Sequence, residues 1–127
     1  PIELHCLHFS LCQLIAPKKG AESELVNKVL QNVDLVYSMG LFDYLPQPLA
    51  QRTANELFGM LNNEGSLLIG NLVRASDSSW LIEYATAWHL IYRNEEDIHD
   101  MGSALPVQPQ VLADSTGRCL FLHATNS

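Results

Sequence analysis

Apolar and polar positions along the chain mark out its elements in turn. Ile2–Phe9 alternates loosely (Ile2, Leu4, Cys6, then Leu7 and Phe9), the period-two pattern of a strand. Ser10–Ile15 reads as a short connection or a helical turn, and Pro17-Lys18-Lys19-Gly20 as a surface break. Over Glu22–Gln31, Leu25, Val26, Val29 and Leu30 fall at helical spacing and predict a short amphipathic helix. Val33–Ser38 is a compact apolar run, with Val36 and Tyr37 favouring a strand. Apolar residues on both faces are the mark of a parallel strand covered by helices on both sides. Asp34–Leu45 therefore predicts a buried strand that runs into a ligand-facing turn.

Pro46-Gln47-Pro48 opens a helix that runs about to Leu61, with Ala50, Ala54, Leu57, Phe58 and Leu61 on its apolar face. Asn62-Asn63-Glu64-Gly65 is expected to end it, with Gly65 in a left-handed turn. Ser66–Val73 is the next buried strand and Arg74–Ser79 a polar loop. Trp80–Tyr92 predicts a helix with a broad apolar stripe, and Asn94 with Asp97 a capping box for a further helix near Glu95–Met101. Val107–Ala113 and Cys119–Thr125 are two strands joined by the hairpin-type turn Asp114–Arg118. The order is β-α-β-α-β-α-(α)-β-β. It predicts one α/β domain over residues 1–127, with a mostly parallel sheet and a closing antiparallel hairpin strand.

Composition narrows the function classes. The chain has 127 residues, 47% apolar and 17% charged, an ordinary globular balance. Its net charge of −7 argues against a nucleic-acid backbone and against an anionic membrane surface as partners. No apolar run reaches the length of a membrane span, and the first residues do not read as a signal peptide. A natural chain begins with Met, so the start at Pro1 reads as trimmed or processed. Cys6, Cys12 and Cys119 are odd in number and scattered, and read as reduced core residues of a cytoplasmic protein. His5, Cys6 and His8 do not make a metal site. The two histidines point to opposite faces of a strand, and the spacing is no zinc signature.

The stretch "VDLVYSMGLFDYLPQPLAQRTANELFGMLNNEGSLLIGNL" resembles the fourth-to-fifth-strand segment of class I S-adenosylmethionine-dependent methyltransferases. In those enzymes an Asp-apolar-apolar phrase opens the fourth strand, and an "L…G-G-x-L-x-I" phrase leads into the fifth. Here the latter is Leu61–Ile69, with Asn63-Glu64 where Pro-Gly is common. "YSMGLFDYL" and "WHLIYRNEEDI" are similar to a bacterial subgroup associated with fatty-acid methyl ester signals. The resemblance covers residues 33–127. It implies a Rossmann-like fold, S-adenosylmethionine as cofactor, and methyl transfer to a small-molecule acid or lipid-like acceptor. One feature of the family is missing: no Gly-x-Gly turn follows a strand. Ile2–Phe9 matches the family's third strand, so the chain looks like such a domain without its first two strands.

Ligands in open α/β sheets lie at the carboxyl ends of strands. By family position, Ser10 and Leu11 are candidate adenine contacts, with a loop serine beside a core leucine as the alternative. Ser38, Met39 and Gly40 are candidates for the cofactor, Gly40 allowing close backbone approach. Phe42 and Tyr44 are candidate pocket walls. Asp43 is a candidate base or orienting group, or else a carboxylate favoured by a helix start. Asn71 is a candidate acceptor contact or a turn cap. Tyr84, Trp88 and Arg93 are candidate acceptor contacts, although an aromatic stripe also suits a core. Arg93 would suit a carboxylate.

In the full fold another strand lies beside Val33–Ser38. Without it that strand has a bare apolar edge, and bare edges recruit partners. Either Ile2–Phe9 slides in beside it or two chains pair edge to edge as a homodimer. The rival readings are a non-catalytic dimerisation or interaction module and a different small α/β ligand-binding domain.

Overall fold

A computed structural model describes residues 2–8, 10–15, 24, 27–74 and 79–127. Helix α1 spans Leu11–Ile15, β1 Val33–Met39, α2 Gln47–Phe58 and β2 Leu61–Leu72. Then come α3 (Ser79–Thr86), α4 (Glu95–Met101), β3 (Gln110–Ala113) and β4 (Cys119–Thr125). A short 3-10 turn, Phe42–Tyr44, lies between β1 and α2.

The four strands form one sheet in the order β1-β2-β4-β3. β1 and β2 are parallel, while β4 lies antiparallel between β2 and β3. The α/β class and the closing hairpin agree with the sequence reading, but the sheet is mixed rather than mostly parallel. Inserting β4 makes two of the three strand pairings antiparallel.

Cross-strand rows show where the core lies. Val36–Leu67–Ala124 and Ser38–Ile69–Leu122–Val111 share one face. Leu67, Ile69 and Leu122 there are fully buried, under Ala50, Ala54, Leu57 and Phe58 of α2 and Ile98 and Met101 of α4. The opposite face carries Tyr37–Leu68–His123 and Met39–Gly70–Phe121–Leu112. Here Tyr37 is 67% exposed, Met39 53% and Leu112 45%. Among the described residues helices cover one face, so β1 is not the doubly buried strand that its composition predicts. Among the described residues β1 pairs with β2 alone. The bare edge is present.

Residues 2–8 are not a strand and do not fill that edge; Ile2 and Leu4 are exposed. Alternation over so few residues sets no register without a neighbour to pair with. Cys6 and Cys12 are exposed rather than core residues, while Cys119 is partly buried. The expected helix over Glu22–Gln31 lies largely outside the described residues; residues 27–29 are helical. The loop expected at Arg74–Ser79 is also described only at its ends.

Trp80–Tyr92 is not one helix. It ends at Thr86, and Ala87 has a left-handed φ of 52°. Beyond it the backbone bonds elsewhere: Ile91 N–H donates to the Asp43 carbonyl (2.7 Å) and Arg93 N–H to that of Leu72 (3.2 Å). These bonds satisfy groups that would otherwise sit in a helix. The Asn94–Asp97 capping box forms as its spacing predicts. β3 is shorter than Val107–Ala113, since Pro109 has no N–H to give to a ladder.

α2 ends at Phe58, and Asn62–Gly65 belongs to β2 as a bulge: Val33 pairs with Leu61, yet Leu35 pairs with Ser66. Glu64, not Gly65, has the left-handed φ, 66°. Gly65 serves close approach, because a Cβ there would stand 2.8 Å from Asn62 Oδ1 and 2.9 Å from the Val33 carbonyl. Asn126 holds the bulge: its carbonyl accepts from Glu64 N–H, its N–H donates to the Gly65 carbonyl, and its side chain reaches the Leu61 and Asn62 carbonyls. Gly65→Ala is therefore expected to cost about 1–3 kcal/mol through overpacking. Glu64→Gly should be neutral or stabilising, because it relieves a left-handed residue. Urea unfolding of both variants checks this, and the opposite order would contradict the bulge geometry.

Candidate functional site

β1 delivers its chain to the carboxyl end of the sheet at Ser38-Met39-Gly40. Gly40 has φ 91°, a conformation that L side chains rarely adopt, with open space around it. Ser38 is half-buried in the row that α2 covers, and Met39 lies over Gly70 on the open face. The three sequence candidates thus end on one open turn but point to different sides of the sheet. Among the described residues, nothing stands within 4 Å of where a Cβ on Gly40 would lie.

The next turn is built differently. Phe42 is fully buried and belongs to the core. Asp43 is also buried, and its Oδ1 accepts the Leu72 N–H at 2.7 Å. Tyr44 is nearly half exposed. Facing this turn is Arg93, 98% buried, whose guanidinium binds several groups at once. Nη1 donates to the Phe42 carbonyl (2.7 Å) and Asn71 Oδ1 (2.5 Å), Nη2 to the Leu45 carbonyl (2.5 Å) and Nε to Gln47 Oε1 (2.7 Å). The Asn71 amide donates in turn to the Leu72 and Ile91 carbonyls. Gln47 Nε2 reaches the Asp97 carbonyl of α4 at 2.8 Å. Arg93, Asn71 and Asp43 form a clasp that fixes the turn after β1 against the end of β2. Their side chains are spent inside the protein.

Charge follows the same geometry. Burial pushes the Asp43 carboxyl above its ordinary range, opposed by the Leu72 N–H and by the positive charge of Arg93. Burial likewise lowers the Arg93 pKa, opposed by Asp43 and Asp97. Burial raises the Cys119 thiol on β4, and Asp43 adds to the effect. Asp114, in the neighbouring hairpin turn, is held down to about 2 by the Thr116 hydroxyl and the Cys119, Thr116 and Arg118 amides.

The remaining candidates are spread out. Tyr84 (86% exposed) lies on α3 and Trp88 (54%) follows it, both open to solvent. Arg74, at the end of β2, reaches Glu83 of α3 at 3.4 Å and lies over the Tyr92 ring at 5.0 Å. Ser10 and Leu11 open α1 rather than ending a strand. Ser10 Oγ accepts from Gln13 N–H, and the α1 carbonyl of Ile15 accepts from Arg52 of α2. Sequence reasoning missed Gln47 and the Leu72 amide. A glutamine between two prolines carries no periodic signal, and a backbone N–H is never visible in side-chain pattern.

Arg93→Leu should cost about 3–5 kcal/mol in urea unfolding, since it strands buried acceptors on three segments. Arg93→Lys should recover little of that, because an ammonium lacks the planar fork. Asp43 also makes stability depend on pH. With a folded pKa above the ordinary 3.8, the native carboxyl keeps its proton where the unfolded one has lost it. Its contribution is greatest below 3.8, falls as pH rises through the window up to the folded pKa, and is level above it. Asp43→Asn should lack that fall. Unfolding free energies of both proteins across this window provide the check.

Three solved structures are similar to this chain in fold. The pyocyanin biosynthetic protein PhzM matches with a TM-score of 0.58 at 13% identity, over 76% of this chain and 31% of its own. The magnesium protoporphyrin IX methyltransferase ChlM from Synechocystis PCC 6803, with bound SAH, matches at 0.51 and 12%, over 80% and 48%. An O-methyltransferase family protein from Burkholderia thailandensis matches at 0.52 and 16%, over 80% and 33%. No protein-family model matches, nor does any curated protein. The chain spans between about a third and a half of the length of these solved structures. At such identities the likeness is one of fold alone, a methyltransferase-like fold.

Proposed function

We propose that this chain is the sheet-closing part of a class I S-adenosylmethionine-dependent methyltransferase domain. On this reading it serves methyl transfer to a small-molecule acceptor. The observation that carries the reading is the strand order β1-β2-β4-β3 with β4 antiparallel between two neighbours. It is joined by a turn open around a left-handed glycine at the carboxyl end of β1. The bare β1 edge and the uncovered apolar face agree with a domain whose first two strands and their helices lie elsewhere.

S-adenosylmethionine supplies an already activated methyl group on its sulfonium. The protein's part is positioning. Gly40 admits the ligand to the backbone, and Ser38 and Met39 flank it. Asp43 and Asn71 hold the turn in place, while Tyr44, Tyr84 and Trp88 offer aromatic surface to an acceptor. Likeness to the fatty-acid methyl ester subgroup suggests an acid or lipid-like acceptor and a cytoplasmic setting. With no Gly-x-Gly turn in the sequence, binding by this chain alone is expected to be millimolar or weaker, about −4 kcal/mol or less.

A second reading, a dimerisation module, is favoured by the exposed Leu35, Tyr37 and Met39 on the edge strand. Sedimentation of the wild type against Tyr37→Lys separates the two readings: a dimer lost in the variant supports the module. The enzymatic reading is tested by amide spectra during titration with S-adenosylhomocysteine at up to 10 mM, roughly ten times a millimolar dissociation constant. Shifts centred on Ser38–Gly40 are expected. Shifts centred elsewhere, or none, would count against it.

A further inference from the structure

Gln47 is the first residue of α2, set between Pro46 and Pro48, whose rings fix the backbone on either side of it. Its side chain faces two ways. Oε1 accepts from Arg93 Nε at 2.7 Å, while Nε2 donates to the Asp97 carbonyl at 2.8 Å and to Asp100 Oδ2 at 3.3 Å. These partners fix which way the amide points, because a guanidinium only donates and a carbonyl only accepts. Among side chains of this length, only an amide meets both demands. A carboxylate could take the arginine and not serve α4, and an ammonium the reverse.

Arg93 passes this constraint on. A guanidinium is planar, so a partner on Nε sets the plane in which Nη1 and Nη2 lie. Those two nitrogens hold the Phe42 and Leu45 carbonyls and Asn71 Oδ1. Phe42 stands two residues beyond Gly40, and Leu45 two residues before Gln47 itself. The chain from Phe42 to Gln47 thus wraps one guanidinium and is anchored through Gln47 to α4. Gln51, one turn further along α2, provides a contrast. Its Nε2 donates to the Asp100 carbonyl (3.0 Å) and to Asp100 Oδ2 (3.2 Å). It bridges α2 to α4 as Gln47 does, but its partner is not Arg93. Joining the two helices is therefore done at two positions, and aiming the guanidinium at one of them.

We infer that Gln47 is a positioning residue for the turn after β1: it aims the Arg93 guanidinium and so sets where the backbone from Gly40 to Leu45 lies. That this turn faces a cofactor rests on the proposed function; the positioning does not.

Backbone amide and Arg93 Nε–H resonances of the 127-residue chain, without ligand, provide the test. Gln47→Glu keeps an acceptor for Arg93 and gives up the donor to α4. It should leave the Gly40–Leu45 amides near their wild-type positions and the Arg93 Nε–H protected from exchange. Gln47→Lys keeps the donor and gives up the acceptor. It should displace those amides and lose that protection. Gln47→Met, uncharged and of similar length, should do the same without placing an ammonium beside a guanidinium. Gln51→Leu should move signals of α2 and α4 and leave Gly40–Leu45 in place. An unmoved turn in Gln47→Met or a displaced one in Gln47→Glu would overturn the inference. So would a Gln51→Leu effect on Gly40–Leu45 as large as that of Gln47→Met. On titration with S-adenosylhomocysteine, Gln47→Met should weaken the response at Ser38–Gly40 several-fold and Gln47→Glu should preserve it. A turn that moves as expected in these variants, with no S-adenosylhomocysteine response in the wild type, would count against methyl transfer and leave the positioning role standing.

Discussion

The Arg93 guanidinium ties three segments together: the 3-10 turn, the start of α2 and the end of β2. It reaches the carbonyls on either side of the 3-10 turn, the amide at the end of β2, and the first residue of α2. Those acceptors are neutral and fixed, so the fork geometry of the side chain sets their relative positions. A buried guanidinium is costly unless its hydrogens are matched, and here the matching comes from backbone that must be in place first. The clasp is thus both a consequence of the fold and a condition for it. Asp43 offsets part of the charge; burial raises its carboxyl pKa, and the Leu72 N–H and Arg93 oppose that rise.

Only one side of the sheet is covered by described residues. α2 and α4 bury the Leu67–Ile69–Leu122 face completely, and the Tyr37–Met39–Leu112 face carries side chains of the same character in the open.

Much of this was legible in the sequence because it rests on local rules. The capping box at Asn94 and Asp97, the hairpin at Asp114–Arg118 and the apolar face of α2 follow from spacing alone. Among the described residues β1 lies at the sheet edge, as the sequence reading expects. What failed depended on distant partners. Periodicity carries Trp80–Tyr92 as one helix, but the Asp43 turn draws its second half away at Ile91 and β2 at Arg93. Alternation makes Ile2–Phe9 a strand, but no neighbour pairs with the described part of it. Gly65 looks like a helix terminator, but its place is set by the nearness of Val33 and Asn62. In the candidate site, the residue types were found and their roles were not. Arg93, Asn71 and Asp43 face inward to one another, a choice that side-chain identity does not reveal.

The strand order also carries a schedule. β4 is synthesised after β1, β2 and β3, yet it lies between β2 and β3. As the chain leaves the ribosome, β2 therefore has no partner on that side and β3 has none at all until Cys119–Thr125 emerges. Such non-local closure is slow, and it leaves strand edges exposed meanwhile. The bulge at Asn62–Gly65 waits longer still, since Asn126 must arrive to tie it. The sheet of this protein is closed last at its middle, and a nascent chain stalled before β4 should be a client for chaperones.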